Sequence, residues 1–138
     1  ILKDVIEVNE EQPLKLLELL TAHVPNLDRK TIGLLGLAFK PNTDDVRESR
    51  AIPIVEALLR KGATVLAYDP MAMGNFRKIY PQINYVPTAA DALAADAVLI
   101  TTEWKEFESL NYSGKTVIDG RRIEKARDGS TYDGVCWS

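Results

Sequence analysis

The chain has 138 residues, enough for one domain with its own hydrophobic core. Its formal net charge is −3 and no window concentrates lysine and arginine, which excludes a broad nucleic-acid-binding surface. No apolar run approaches the roughly 20 residues that span a bilayer, and the single cysteine, Cys136, excludes an internal disulfide. We therefore expect a cytoplasmic protein with neither a membrane nor a nucleic-acid partner.

The first 22 residues predict an amphipathic helix. Their apolar side chains mostly lie three or four positions apart, at Leu2, Val5, Ile6, Leu14, Leu17 and Leu20. Proline removes a backbone donor and clashes with the carbonyl group four residues earlier, so Pro13 predicts a kink or a break near Gln12. Residues 23–30 follow as a connector. The chain begins at Ile1 and not at a methionine, which indicates a piece of a longer protein.

After residue 30 the apolar pattern alternates between strands and helices. Strand-like runs lie at 31–38, 64–69, 83–86, 97–101, 115–119 and 130–137, and helix-like segments at 49–61, 71–80, 88–94 and 104–110. The unbroken apolar runs LLGLA and AVLI suit strands that are covered on both faces. This alternation predicts an α/β fold, namely a Rossmann-like, doubly wound parallel sheet of five or six strands preceded by an amphipathic helix.

The second predicted helix has clear signals at both ends. Ser49 is a candidate N-cap, Pro53 falls in the first turn, and Gly62 follows the last turn as a stop. These signals leave the stretch GLAFKPNTDDVRES, residues 36–49, as a long loop between the first strand and this helix.

Ligands of such sheets bind at the carboxyl ends of the strands. Lys40 lies just beyond the first strand, and Arg121 just beyond the strand KTVID. Two cations that converge on one crevice favour a phosphate-bearing ligand. The alternative for Lys40 is a solvated loop lysine. The loop also carries Asp44, Asp45, Arg47 and Glu48. These could simply form a charge cluster at the start of a helix, where acidic residues are favoured by the helix dipole.

The loop does not match a dinucleotide fingerprint. GLLGLA, residues 33–38, lacks the middle glycine of G-x-G-x-x-G, and Phe39 and Lys40 stand where a backbone would approach pyrophosphate. Asp69 ends the second strand, as a ribose-binding acid would. Without the glycines we interpret Asp69 as a turn or cap residue before Pro70.

Several motifs together resemble the UDP-glucose/GDP-mannose dehydrogenase family. GLAFKPNTDDVRESRAI resembles its F-K-x-x-T-D-D-x-R-x-S loop, and YDPM, TTEWKEF and VIDGR resemble later motifs in the same order, while VIEVNEEQP resembles the end of its long central helix. The resemblance implies that residues 1–22 are the tail of the central dimerisation helix, 23–30 a connector, and 31–138 the C-terminal nucleotide-sugar (UDP)-binding domain.

The resemblance also implies roles for individual residues. Phe39, Lys40 and Arg121 match positions that contact the nucleotide-sugar, and Arg47 matches an arginine that reaches toward NAD across the interdomain cleft. The motif of Thr102, Glu103 and Trp104 lies at the same end of the sheet and implies a further substrate contact. One departure is Arg50, which stands where the family often has a small residue.

The activity implied is that of an NAD-dependent UDP-sugar 6-dehydrogenase of polysaccharide biosynthesis, which oxidises the C6 alcohol twice, as in UDP-glucose to UDP-glucuronate. The resemblance implies that NAD is bound mainly by an N-terminal domain and that the catalytic cysteine also lies before this region. Both are absent from this chain. We therefore expect no catalytic residue and no metal site here, and a homodimer formed through the central helix. UDP-glucose is the expected substrate, although enzymes for UDP-N-acetylmannosamine and GDP-mannose share these motifs.

Two other functions are compatible with parts of the pattern. A free-standing, flavodoxin-like receiver module would use Asp69 as phosphoacceptor with Asp44 and Asp45 as its acid pair, but Arg121 replaces the expected lysine. Such a module binds Mg²⁺ without nucleotide. A complete small NAD enzyme is the third possibility, and the missing glycines argue against it.

Overall fold

The computed structural model describes residues 2–120 and 131–134, with side chains described for 13–120, 131 and 132. The helices are α1 (Leu2–His23), α2 (Ala51–Arg60), α3 (Met73–Ile79) and α4 (Ala89–Ala92), with a 3-10 helix at Lys105–Ser109. The strands are β1 (Thr31–Leu35), β2 (Thr64–Tyr68), β3 (Asn84–Tyr85), β4 (Ala97–Ile100), β5 (Thr116–Asp119) and β6 (Thr131–Gly134).

All six strands form one parallel sheet in the order β3-β2-β1-β4-β5-β6. The chain winds outward from β1 in one direction and then from β4 in the other, which confirms the predicted doubly wound fold. Of the five or six strands predicted, the sheet has six. The switch point lies between β1 and β4, where the direction of winding reverses.

The core lies on both faces of the central strands. Every residue of β4 is fully buried, as are Ile32, Leu34 and Leu35 of β1. Burial of an aliphatic side chain of this size stabilises a fold by about 1.5–3 kcal/mol relative to exposure. Continuous burial explains why these strands read as unbroken apolar runs and not as alternating ones.

Helix α1 is continuous through Pro13. A kink or a break was predicted near Gln12, and the prediction of a break is wrong. Proline costs the helix one backbone hydrogen bond. Leu16, Leu17 and Leu20, one to two turns further on, are buried against the rest of the fold. Most helical stability in proteins comes from packing of this kind, which outweighs a single lost bond.

Helix α2 ends as its sequence predicts. The Gly62 amide donates to the Leu59 carbonyl (3.1 Å) and the Ala63 amide to the Leu58 carbonyl (3.0 Å), the paired bonds of a Schellman motif. Gly62 has a φ of +82°, a conformation in which glycine carries no steric penalty. The stop signal is therefore confirmed.

Several elements are shorter than predicted. β1 ends at Leu35 and not at residue 38, because Gly36 turns the chain with a φ of +101°. β3 has two residues, and residues 105–109 form a 3-10 helix. Within the part of the chain that the structure describes, no helix is both long and apolar enough to cross a membrane.

Candidate functional site at the carboxyl edge of the sheet

The carboxyl ends of four neighbouring strands finish in register. Tyr68, Leu35, Ile100 and Asp119 form one row across β2, β1, β4 and β5. The residues that follow this row therefore line a single edge, as the sequence predicted for a parallel sheet. We call this the carboxyl edge, and the opposite side, where the strands begin, the amino edge.

Buried polar side chains concentrate at the carboxyl edge. Among the side chains that the structure describes, the buried polar or charged ones are Ser49, Asp69, Thr101, Thr102 and Asp119. All five lie at this edge or at the end of the loop that leaves it. Burial of a polar group is costly unless that group is hydrogen-bonded, so each of them needs partners.

Asp69 has the largest set of partners. Its Oδ2 accepts from the amides of Leu37 (2.8 Å) and Ala38 (3.0 Å) and from Nε1 of Trp104 (2.9 Å). Its Oδ1 accepts from the amides of Met71 and Ala72, each at 2.8 Å. The side chain is fully buried, and five N–H dipoles surround its carboxylate.

Asp69 is thus the turn residue that the sequence predicted, and more. Its bonds to Met71 and Ala72 shape the turn between β2 and α3. Its other three bonds join β2 to the loop after β1 and to the segment after β4, and these were not predicted. The sequence signal that could have indicated these bonds is an aspartate at the end of one strand and a tryptophan just after another strand that ends at the same edge.

Two threonines fasten the loop after β1 to the end of β4. Thr101 Oγ1 donates to the Gly36 carbonyl (2.5 Å), and Thr102 Oγ1 to the Ala38 carbonyl (2.8 Å). Gly36 must approach this segment closely, because a Cβ added there would lie 2.5 Å from the Thr102 Cβ. With its φ of +101°, that position accepts glycine and little else.

Beyond Ala38 the loop is closed by its own backbone. The Phe39 amide donates to the Asp45 carbonyl at 2.7 Å, so residues 39–45 form a compact excursion. Asn75 of α3 reaches across and donates through Nδ2 to the Asp44 carbonyl (2.9 Å). Phe39 has 37 % of its surface exposed, and Lys40, next to it, is exposed too. In the described part of the chain, Lys40 makes no ion pair.

Arg47 forms a two-pronged contact with Asp45. Its Nη2 donates to Oδ2 (2.9 Å), and both Nε and the backbone amide donate to Oδ1. The hydrogen bonds from Arg47 lower the pKa of the Asp45 carboxyl from 3.8 to about 2, and the carboxylate in turn raises the pKa of the Arg47 guanidinium. The Arg47 side chain is 88 % exposed, so most of the guanidinium stays open to solvent.

A polar groove of about 480 Å³ lies beside this pair. Its walls come from the loop and from α3, and the lining residues are Thr43, Asp44, Asp45, Val46, Arg47 and Asn75.

Ser49 lies one residue before the N-cap of α2, so the predicted N-cap is wrong by one residue. Its Oγ accepts from the Ala51 amide (3.1 Å) and its carbonyl from the Ile52 amide (3.2 Å). The N-cap position itself is Arg50, whose side chain makes no capping bond and is half-buried. A hydroxyl that caps the helix from inside the core accounts for the burial of Ser49.

The remaining predicted site residues fall in different surroundings. Glu103 is half-buried, and Trp104 is 7 % exposed with its indole N–H already donated to Asp69. Arg121 lies outside the described residues, as does Cys136. β5 ends at Asp119, whose Oδ2 accepts from the Tyr132 hydroxyl (2.8 Å), and this places the start of the DGR motif at the carboxyl edge.

The contacts of Asp69 argue against two of the hypotheses. The amides of Leu37 and Ala38, which a pyrophosphate at the β1 turn would use, are donated to Asp69, so this turn does not fit a dinucleotide. A receiver module needs an accessible phosphoacceptor, whereas Asp69 is fully buried with both oxygens occupied.

Comparison with known proteins identifies the family. A family model described as the UDP binding domain of the UDP-glucose/GDP-mannose dehydrogenase family matches residues 33–126. The chain belongs to this family. The predicted resemblance and the predicted fold are therefore confirmed, and the receiver alternative is wrong.

Individual relatives agree with that assignment. The chain is 47 % identical to a UDP-glucose 6-dehydrogenase of Haloferax volcanii, over 98 % of this chain and 33 % of that protein. A UDP-glucose dehydrogenase structure from Pyrobaculum islandicum matches with a TM-score of 0.93 and 43 % identity, over 99 % of this chain and 32 % of that one.

A more distant structure shares the same fold. The UDP-D-ManNAc dehydrogenase of Pyrococcus horikoshii has a TM-score of 0.74 and 28 % identity, over 93 % of this chain and 31 % of its own. The family member described here thus spans about a third of the length of the relatives it matches. None of these comparisons tests the roles of Phe39, Lys40, Arg47, Glu103, Trp104 and Arg121, which stay predictions.

Proposed function

We propose that this chain is the nucleotide-sugar-binding domain of an NAD-dependent UDP-sugar 6-dehydrogenase, with UDP-glucose as its substrate. The observation that supports this most strongly is the match of residues 33–126 to the family's UDP binding domain. That stretch begins in β1 and includes the loop anchored by Asp69. The domain anchors the nucleotide, and the oxidation takes place elsewhere in the enzyme.

Charge at the carboxyl edge supports a diphosphate ligand. Lys40 follows β1 and Arg121 follows β5, and both strands are neighbours of β4. Strands two positions apart in a sheet are separated by roughly 10 Å. Two long basic side chains can bridge that distance around one diphosphate, and charge-assisted bonds of this kind are strong. The exposed ring of Phe39 offers an apolar surface beside them.

Glu103 and Trp104 contribute to the same site in different ways. Glu103 is half-buried, and its carboxylate suits a hydroxyl group of the sugar or ribose. Trp104 is mostly covered and its indole N–H is donated to Asp69, so any substrate contact is made by the small part of the residue that stays exposed.

NAD, when bound, accepts a hydride at each of the two oxidations. The β1 turn of this chain does not fit it, so a separate N-terminal domain holds it in our proposal. Arg47 is exposed beside the polar groove and reaches the cofactor across the cleft. Arg47→Ala should therefore raise the KM for NAD more than the KM for the nucleotide-sugar.

Anchoring by a remote group is useful because of where the reaction occurs. Binding energy from the nucleotide orients C6 of the sugar toward the catalytic groups and lowers the entropic barrier of each step. In the full-length enzyme, α1 continues the central helix that forms a homodimer. The exposed Leu14 of α1, 54 % accessible, is consistent with such a contact.

Substrate-dependent NADH formation tests this function. The full-length protein should form two NADH per UDP-glucose, and more slowly or not at all with UDP-N-acetylmannosamine and GDP-mannose. The 138-residue chain alone should bind UDP by calorimetry and form no NADH, because it carries no cofactor turn of its own. Sustained NADH formation by the isolated chain would contradict the assignment, as would a full-length protein that oxidises none of the three.

A further inference from the structure

Asp69 stands where the fold offers an anion site. In a doubly wound sheet the first amides after β1 point toward the switch point, and in dinucleotide-binding relatives of this fold they receive a pyrophosphate. Here the corresponding amides, those of Leu37 and Ala38, donate to Asp69 Oδ2 at 2.8 and 3.0 Å.

We propose that Asp69 is a positioning residue, which fills this anion site with its own carboxylate and thereby fixes the loop that binds UDP. The inference rests on the proposed function, since it assumes that the loop bearing Phe39 and Lys40 holds the nucleotide. It adds a residue that touches no ligand and acts through the backbone.

The path from Asp69 to the ligand is short. Ala38 is held on both sides, its amide by Asp69 and its carbonyl by Thr102 Oγ1 (2.8 Å). The next amide, that of Phe39, is held by the Asp45 carbonyl. The backbone just before Lys40 is therefore held in place, and less conformational freedom is lost when the Lys40 ammonium group contacts a phosphate.

Trp104 brings a second binding segment to the same carboxylate. Its Nε1 donates to Asp69 Oδ2 (2.9 Å), which ties the segment after β4 to the loop after β1. Glu103 is the adjacent residue. One buried charge thus joins two segments of the proposed site that lie more than sixty residues apart in sequence.

The negative charge is what this arrangement needs. All five partners of Asp69 are N–H donors, two on Oδ1 and three on Oδ2. An asparagine has nearly the same shape, but its amide nitrogen donates and cannot accept. In either orientation of an asparagine, an NH₂ group would face at least two N–H donors. Asp69→Asn is therefore a nearly isosteric test of the charge.

The matched control is Asp96→Asn. Asp96 Oδ2 accepts from the Thr31 amide (2.8 Å), so it too is a carboxylate bonded to the backbone of β1, but at the amino edge and exposed. Both variants in the full-length protein would be titrated with UDP by calorimetry at a temperature at which thermal melts show them folded. KM values for NAD and for UDP-glucose would be measured on the same preparations.

We expect Asp69→Asn to bind UDP about tenfold more weakly or worse and to raise the KM for UDP-glucose more than the KM for NAD. The effect on NAD should be smaller because Asp69 bonds to the loop next to Lys40, whereas Arg47 is held by Asp45 further along it. Asp96→Asn should bind UDP like the unchanged protein. In Asp69→Ala, formate should recover part of the lost UDP affinity, whereas formamide, which has the same shape without the charge, should not. Should Asp69→Ala fail to fold, Asp69→Asn decides alone.

The opposite results separate the two proposals. If Asp69→Asn is folded and binds UDP like the unchanged protein, the positioning role is wrong and the proposed function stands. A KM for NAD that rises as much as the KM for UDP-glucose would also contradict the positioning role, because it indicates a general structural defect. If the unchanged protein itself does not bind UDP, the proposed function fails first.

Discussion

The two edges of the sheet are built differently, although the same strands end at both. At the carboxyl edge, polar groups are buried and bonded, among them Asp69, Thr101 and Thr102. At the amino edge, Thr64 and Asp96 are exposed. A fold gains little from burying polar groups that water could solvate. The edge at which they concentrate is the one where we propose that the nucleotide binds.

Asp69 and Asp96 show the contrast in a single residue type. Each bonds to the backbone at or next to β1, but Asp96 accepts one amide there at the surface and Asp69 accepts five N–H groups in the interior. A buried charge that loses a hydrogen-bond partner destabilises the fold far more than an exposed charge that loses one, because water can replace the partner only at the surface. Substitutions at the carboxyl edge should accordingly have larger effects than matched substitutions at the amino edge.

The largest difference is expected between two glycines. Gly36→Ala places a Cβ 2.5 Å from the Thr102 Cβ at a φ of +101°, and should cost about 3 kcal/mol or more of unfolding free energy. Gly114, in the turn before β5 at the amino edge, has a φ of +75° and open space around it. Gly114→Ala should cost only about 1–2 kcal/mol. Urea unfolding of both variants measures this, and equal costs would contradict the close packing at Gly36.

A pair of threonines gives the next largest difference. Thr102→Val removes the hydroxyl that donates to the buried Ala38 carbonyl and should cost about 1–3 kcal/mol. Thr64→Val alters an exposed position at the start of β2 and should change stability by no more than about 0.5 kcal/mol. Thermal or urea unfolding would show it, and a neutral Thr102→Val would mean that this bond does not hold the loop.

The smallest effect concerns the surface pair of the half-buried Asp45 and the exposed Arg47. The pKa of Asp45 lies at about 2, below its ordinary 3.8, so the pair contributes stability at pH values above 3.8 that is lost as the pH falls through about 2. In Arg47→Ala the Asp45 carboxyl should titrate closer to 3.8, because its main hydrogen-bond donor is gone. NMR titration follows this directly. An Asp45 pKa that stays near 2 in the variant would assign the shift to another cause.

Local sequence signals predicted the fold and the turn that Asp69 makes. Periodicity showed the order of strands and helices, and the Gly62 stop was read correctly because its signal is local. The bonds of Asp69 to Leu37, Ala38 and Trp104 join residues 31 to 35 positions apart, and depend on which strands are neighbours. The periodicity of apolar residues does not specify which strands are neighbours in the sheet, so it could not predict these bonds. The end of β1 was misplaced because the residues after Gly36 remain apolar and buried after the strand has ended.

The most direct test of the central claim, that the carboxyl edge binds UDP, is calorimetric titration of UDP into three full-length variants. Lys40→Ala alters the loop at the carboxyl edge, and Arg121→Ala alters the motif that follows β5 in the sequence. Lys30→Ala removes an exposed lysine one residue before β1 at the amino edge. Loss of a charge-assisted bond to a phosphate should weaken UDP binding about tenfold or more in each of the first two, and Lys30→Ala should bind UDP unchanged. If Lys40→Ala and Arg121→Ala bind UDP as tightly as Lys30→Ala does, the nucleotide lies elsewhere and Lys40 is a solvated loop lysine.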